Sequence, residues 1–188
     1  MSENETIEIH KSLINRCKYK DRQAQFDIYR FYSNAMYNTA LRILNDTAEA
    51  EDAMQDAFLK AFQSIHDFRF ESTFGVWLRK ITINICLDIL RKRKMVFEEI
   101  ADKHNVVEED VFFDFNDEAE ILIEKIKTVM KKLPDKHRII LSLHLFEGFD
   151  YEEIAQITGI SSASSRSQFF RARKKLIEEL QKTKIHFA

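Results

Sequence analysis

Asp150-Tyr-Glu-Glu-Ile-Ala-Gln-Ile-Thr-Gly159-Ile-Ser-Ser-Ala-Ser-Ser-Arg166-Ser-Gln-Phe-Phe-Arg-Ala-Arg-Lys-Lys-Leu176 has the spacing of a short helix, a tight turn and a longer basic helix. Asp150 and Glu153 have capping-box spacing, so a helix is expected to begin there. Gly159 is the stop, because a turn this tight needs a residue that tolerates positive φ. Ser161 or Ser162 can cap a second helix. On that helix Phe169, Ala172, Leu176 and Leu180 form an apolar stripe, and Ser167, Gln168, Arg171, Lys174 and Lys175 are expected on the opposite arc. Between Arg166 and Lys175 there are five basic residues and no acidic one. Two helices meeting at a glycine, the second basic on its free face, is the layout of a DNA-binding helix-turn-helix. Arg and Gln can read base edges, while Ser and Lys suit phosphates. The competing reading is a helical hairpin with a solvated basic face.

The rest of the chain sets the frame. Its 188 residues allow one large or two small domains, and 45% hydrophobic with 32% charged residues is a globular composition. Three glycines and one proline are too few for an all-β chain, so the expected class is all-α. Cys17 and Cys86 stand far apart in no metal-ligand pattern and read as reduced thiols. The acidic start Met-Ser-Glu-Asn-Glu lacks a signal-peptide core, and no apolar run approaches membrane-spanning length. A soluble, cytoplasmic protein without membrane insertion is the expectation.

The net charge of −2 conceals a pattern. Residues 1–95 carry 15 basic and 13 acidic side chains, residues 96–117 one basic and eight acidic, and residues 118–188 thirteen basic and ten acidic. Two mildly basic domains, 1–95 and 118–188, are thus expected around an acidic flexible linker at 96–117. Local charge decides where a polyanion docks. Fully extended, the linker's 22 residues would reach roughly 75 Å.

Within the first domain, residues 1–20 are expected to start a helix that carries Ile9, Leu13, Ile14 and Cys17. A long, mostly buried helix follows over Ala24–Leu44, with Phe26, Tyr29, Phe31, Tyr37, Ala40, Leu41 and Leu44 as its apolar positions. Asn45-Asp46-Thr47 breaks it, and Asp46 with Glu49 has capping-box spacing. The next helix, to about Ile65, buries Met54, Phe58, Phe62 and Ile65. The loop His66–Phe74 holds three phenylalanines, which can stack on unpaired bases or form a hydrophobic plug. From Thr73 a further helix runs with Phe74, Trp77, Leu78, Ile81, Ile85 and Ile89 as its core stripe. A polar line of Lys80, Asn84, Asp88 and Arg91 crosses it. Asp88 and Arg91 can simply pair at i, i+3, but a mid-helix Asn costs helix propensity and asks for a reason. The helix closes on Arg91-Lys-Arg93-Lys94, a cluster suited to phosphates. In the second domain, Ala119, Leu122, Ile126, Val129, Met130 and Leu133 mark one helix. Pro134 starts another, with Ile139, Ile140, Leu143 and Phe146 facing inward, and Gly148 ends it.

Taken together these motifs resemble the sigma-70 class of bacterial RNA polymerase sigma factors, in the short two-domain extracytoplasmic-function (ECF) group. Asp52-Ala-Met-Gln55-Asp56-Ala-Phe58-Leu-Lys-Ala-Phe62 is similar to region 2.2, which in the family binds the clamp of core RNA polymerase. Phe68-Arg-Phe-Glu-Ser-Thr-Phe74-Gly-Val-Trp77 through Arg91 resembles regions 2.3 and 2.4, which melt the −10 element and capture a flipped base. Leu133-Pro134 through Leu176 resembles region 4, which reads the −35 element. The resemblance implies polymerase contacts at Asp52, Gln55, Asp56 and Phe58. It implies −10 DNA contacts at Phe68, Asn84, Arg91 and Arg93, and −35 contacts at Arg166, Ser167, Gln168, Phe170, Arg171 and Lys174. It also implies promoter DNA and an anti-sigma factor as partners, and an acidic linker that mimics RNA near the polymerase active site. Three positions depart from the family's pattern: Phe70 stands where Gly is common, Ser165 where an apolar residue is usual, and Gln168 where Arg is usual.

No phosphate-binding glycine loop or HExxH motif is present, and six scattered histidines give no metal set, so neither an enzyme nor a cofactor is expected. The alternative is a stand-alone helix-turn-helix regulator with a helical oligomerisation domain, which would bind palindromic duplex without polymerase. Asp52–Phe62, Asn84 and Asp88 are the residues such a regulator has no need for.

Overall fold

The computed structural model describes residues 3–93 and 119–185. These form eight α-helices and one 3-10 turn, without a strand among the described residues, which is the all-α class expected. The chain divides into two compact units, Met1–Arg93 and Lys94–Ala188. The acidic stretch 96–117, read above as a flexible linker, lies outside the described residues, as does Lys94 of the basic cluster.

The first unit contains α1 (Glu3–Lys18), α2 (Arg22–Leu44), α3 (Thr47–Gln63), a 3-10 turn at Ile65–Asp67 and α4 (Phe74–Lys92). Side chains set each boundary. The Asp21 carboxylate accepts from the N–H groups of Gln23 and Ala24 at 2.9 and 3.1 Å, opening α2 as an N-cap does. The bond from Ala24, then the Arg16 guanidinium, lower its pKa. Asn45, in the left-handed region at φ +57°, ends α2. Asp46 then caps α3 by accepting from Glu49 N–H at 2.9 Å. The reciprocal half of the expected capping box is missing, because the Glu49 carboxylate pairs instead with Arg93 at the end of α4. Thr73 Oγ1 caps α4 through Val76 N–H at 3.3 Å.

Helix α3 packs on both α2 and α4, which also pack on each other. Ala50, Ala53, Ala57 and Ala61 recur at i, i+3, i+7 and i+11, and all are fully buried. Around this seam lie Ile28, Met36, Ile65, Phe74 and Leu78. Two helices bury a different face from the one expected. On α2 the core side carries Ala24, Ile28, Met36, Ala40, Ile43 and Leu44, while Phe26 and Phe31 are 55% and 59% exposed. On α4 the buried line runs through Leu78, Thr82, Ile83, Cys86, Leu87 and Leu90, and Ile81, Ile85 and Ile89 are half-buried. Both helices are apolar around most of their circumference, so periodicity alone did not single out the inner face. Cys17 is buried and its thiol is pushed up to about 11, chiefly by burial, so it stays protonated and unreactive.

The second unit contains α5 (Ala119–Met130), α6 (Asp135–Leu145), α7 (Tyr151–Thr158) and α8 (Ser162–Ile185). The turn chemistry follows the sequence closely. Asp150 accepts from Glu153 N–H at 2.8 Å while the Glu153 carboxylate accepts from Asp150 N–H at 3.1 Å. Gly159 sits at φ +76° and its N–H reaches Ala155 O at 2.8 Å, closing α7 with a left-handed cap. Of the two candidate serines it is Ser161 that caps α8, accepting from Ser164 N–H at 3.2 Å.

Phe169, Ala172, Leu176 and Leu180 form the buried stripe of α8 as expected. The cover extends further, because α8 packs against α5, α6 and α7 together. Ser164, Ser165, Ser167 and Gln168 are buried as well, which removes Ser167 and Gln168 from the arc assigned to them above. Ser165 is fully buried, and its hydroxyl finds no hydrogen-bond partner among the described residues. An unsatisfied buried hydroxyl is a net cost. Ser165→Ala removes that cost and raises helix propensity, so it should stabilise the protein by about 1 kcal/mol, read as a higher chemical-denaturation midpoint with an unchanged m-value.

Candidate nucleic-acid interface

Three helix surfaces carry the residues singled out by sequence. On α3, Asp52, Gln55 and Asp56 are exposed. Their spacing of i, i+3, i+4 puts them side by side, on the face opposite the alanine seam. Phe58 is not with them. It is 3% exposed, with its ring 4.9 Å from Tyr29 and 6.0 Å from Phe62, so it supports α3 from inside. Leu59, which the sequence reading passed over, continues the acidic ribbon at i+3 from Asp56 and is 59% exposed. Its spacing from Asp52, Gln55 and Asp56 was the available signal.

The second surface is the outer face of α4 with the loop before it. Lys80, Asn84, Asp88 and Arg91 are all exposed, at steps of four, four and three residues, which align them along one side of the helix. Arg91 bonds Asp88 at 2.8 Å with both side chains 58% exposed, and such an exposed pair exchanges readily for a phosphate. Arg93 is tied to Glu49, so a phosphate at this end must compete with a carboxylate. Phe68 is in the core at 3% exposure, packed on Phe74 at 5.5 Å and Trp77 at 5.3 Å. Of the two readings of the aromatic loop, the plug holds for Phe68 and Phe74.

Phe70 is different. It occupies the left-handed region at φ +62°, which a side chain with a Cβ adopts only at a cost. Its ring lies 4.8 Å from that of Phe68, with the Lys18 and Lys11 ammonium groups 5.1 and 5.8 Å from its centroid. Lys18 also donates to the Phe68 carbonyl at 3.2 Å. The departure from glycine noted in the sequence is therefore held in place by α1.

The third surface is the outer arc of α8. Arg166, Arg171 and Lys174 are exposed and Phe170 is half-buried, whereas Ser167 and Gln168 are 4% and 3% exposed. The arc is electropositive. His137, on α6, has its pKa lowered first by burial and then by Lys136, Lys175 and Arg171. No cluster of metal ligands occurs among the described residues, and none of their helices is long and apolar enough to cross a membrane.

A capped helix, a left-handed glycine turn and a second helix with an exposed cationic arc define a helix-turn-helix protein of the nucleic-acid-binding class. The chain belongs to the sigma-70 family of RNA polymerase sigma factors, in its ECF group: residues 28–95 match the family's Sigma-70 region 2 and residues 123–176 its region 4. It is 30% identical to the RNA polymerase sigma-H factor of Pseudomonas aeruginosa, over 94% of this chain and 96% of that protein. It is also 30% identical to the ECF RNA polymerase sigma factor SigM of Bacillus subtilis, over 80% and 91% respectively. Among solved structures it is similar to the sigma factor RpoE of Bartonella quintana, co-crystallised with the anti-sigma factor NepR. The TM-score is 0.54 and the identity 25%, covering 82% of this chain and 95% of that one.

The strain at Phe70 can be separated from its contacts. Phe70→Ala keeps the left-handed penalty and loses the ring, whereas Phe70→Gly loses the ring and the penalty together. Phe70→Ala should therefore be the less stable variant by about 1 kcal/mol, measured by urea unfolding of the two proteins side by side.

Proposed function

We propose that the chain binds core RNA polymerase and directs transcription initiation at promoters whose −10 and −35 elements it recognises. The single observation that carries this reading is that one chain joins a region 2 match to a region 4 match. In this reading residues 1–95 serve the polymerase and the −10 element, residues 96–117 link, and residues 118–188 serve the −35 element. The acidic ribbon Asp52, Gln55 and Asp56, with Leu59 beside it, is the polymerase contact, and Phe58 keeps that face rigid. Asn84 and Arg91 contact −10 DNA, with Arg93 joining once it leaves Glu49, and Phe68 fixes the loop from below. Arg166, Phe170, Arg171 and Lys174 face the −35 duplex. Ser167 and Gln168 set the helix against its neighbours, and their burial supports that reassignment.

The chain itself carries out no chemistry in this reading, since phosphodiester bond formation belongs to the polymerase. It works in the cytoplasm, where promoter DNA and polymerase are. An anti-sigma factor is the proposed regulator, in keeping with the co-crystallised relative. A stand-alone regulator would leave the exposed acidic ribbon of α3 without a purpose.

The test pairs two variants. Asp56→Arg reverses charge at the centre of the ribbon and should weaken capture of core polymerase at least about tenfold while leaving the fold intact. Arg171→Ala should leave polymerase binding unchanged and reduce affinity of the holoenzyme for its −35 duplex about tenfold. A folded wild-type protein that does not bind core polymerase would overturn the reading.

A further inference from the structure

The arc of α8 does not stand alone, because an aromatic column from the neighbouring helices reaches its foremost arginine. The Arg166 guanidinium lies 5.8 Å from the ring centroid of Phe170, one turn along α8, and 6.0 Å from that of Tyr151. Tyr151 is the first residue of α7, placed by the capping box that precedes it. Its ring is stacked on His144 of α6 with centroids 5.0 Å apart and planes 12° from parallel. It also packs on Phe169 at 5.6 Å. The His144 ring is fixed in turn: Nδ1 is 2.8 Å from the Phe149 carbonyl, a bond that requires the proton on Nδ1, and Phe169 meets it edge-on at 4.4 Å.

We propose that Tyr151 is a positioning residue for promoter recognition, holding the Arg166 guanidinium through its ring face so that this side chain meets the −35 duplex already oriented. The proposal rests on the promoter-recognition reading above. An exposed arginine on a helix samples many rotamers, and fixing one on binding costs affinity. Two ring faces beside the guanidinium favour a narrow set before DNA arrives, since a planar cation is attracted to an aromatic face. The column behind Tyr151 is what makes the restraint effective. A ring stacked on a hydrogen-bonded imidazole and packed on Phe169 cannot swing with the arginine. Packing alone does not require a ring at position 151, where leucine would cover Phe169. The stack on His144 and the contact with Arg166 both use a π face, and an Arg166→Ala background separates the two.

The experiment is a double-mutant cycle on the full chain assembled with bacterial core RNA polymerase. The probe is the duplex most enriched by the wild-type holoenzyme from a randomised pool, together with its single-base-pair variants. Tyr151→Leu should lower discrimination at the base pair read by Arg166 about fivefold, with the salt dependence of binding unchanged. Tyr151→Phe, which keeps the ring, should restore it. In an Arg166→Ala background Tyr151→Leu should have no further effect. Equal losses in both backgrounds, or a Tyr151→Phe protein as impaired as Tyr151→Leu, overturn the proposal while leaving the family reading in place. A wild-type holoenzyme that enriches no upstream motif overturns both.

A measurement on the wild-type protein covers the case in which Tyr151→Leu does not fold. The Arg166 side-chain N–H resonance, assigned by its disappearance in Arg166→Ala, should be displaced upfield by the adjacent rings. A random-coil position for that resonance in the wild type overturns the proposal.

Discussion

The first unit depends on how closely its helices can approach α3. Four alanines on one side of that helix, Ala50, Ala53, Ala57 and Ala61, leave nothing larger than a methyl between its backbone and the neighbours. Interiors are packed to crystal-like density, so each of these positions accepts little extra volume. With α2 and α4 held this near, the opposite side of α3 must face outward, and that side carries Asp52, Gln55, Asp56 and Leu59. The polar face is thus fixed by the smallness of the residues behind it. Phe58 and Phe62 extend the same support toward the aromatic loop, where Phe68, Phe74 and Trp77 lock the start of α4.

The second unit solves a different problem. Its final helix must be anchored firmly and still present a free side to a ligand. Contact with α5, α6 and α7 anchors α8, whose buried positions run from Ser164 to Leu180. The cost is that Ser164, Ser165, Ser167 and Gln168 go under cover, polar groups in a region that would ordinarily be apolar. What stays outside is a narrow strip led by Arg166, and the aromatic column from α6 and α7 reaches it.

Features set by neighbours in sequence were legible before the structure. Asp150 with Glu153, Gly159 after Thr158, and the serine before α8 act over three or four residues, so spacing suffices to find them. The stripe Phe169–Ala172–Leu176–Leu180 was legible because the rest of α8 is polar. Contrast failed on α2 and α4, where an apolar residue is available on almost every side and only the partners decide which enters the core. Phe26 and Phe31 against Ile28 and Met36 show this directly. Ser167 and Gln168 were misplaced for the converse reason: a polar residue was assumed to face water, and the groove made by three helices was invisible in a one-dimensional pattern. The family resemblance named residues of α3 without distinguishing Asp56, on the surface, from Phe58, beneath it. The aromatic column joins residues 144, 151, 166, 169 and 170 across three helices, and no spacing rule links them.

The narrowness of the exposed strip on α8 bears on how such a protein diverges. Arg166, Arg171 and Lys174 lie outside the core, so exchanging them leaves the fold's energetics nearly untouched. Gln168, two residues from Arg166 and three from Arg171, is sealed inside and is not so easily exchanged. Duplicated copies of this gene could drift apart in the DNA they select by changing three or four side chains while inheriting an unaltered scaffold. Under the proposed function, a new regulon is then a few substitutions away, and those substitutions are confined to a single side of a single helix.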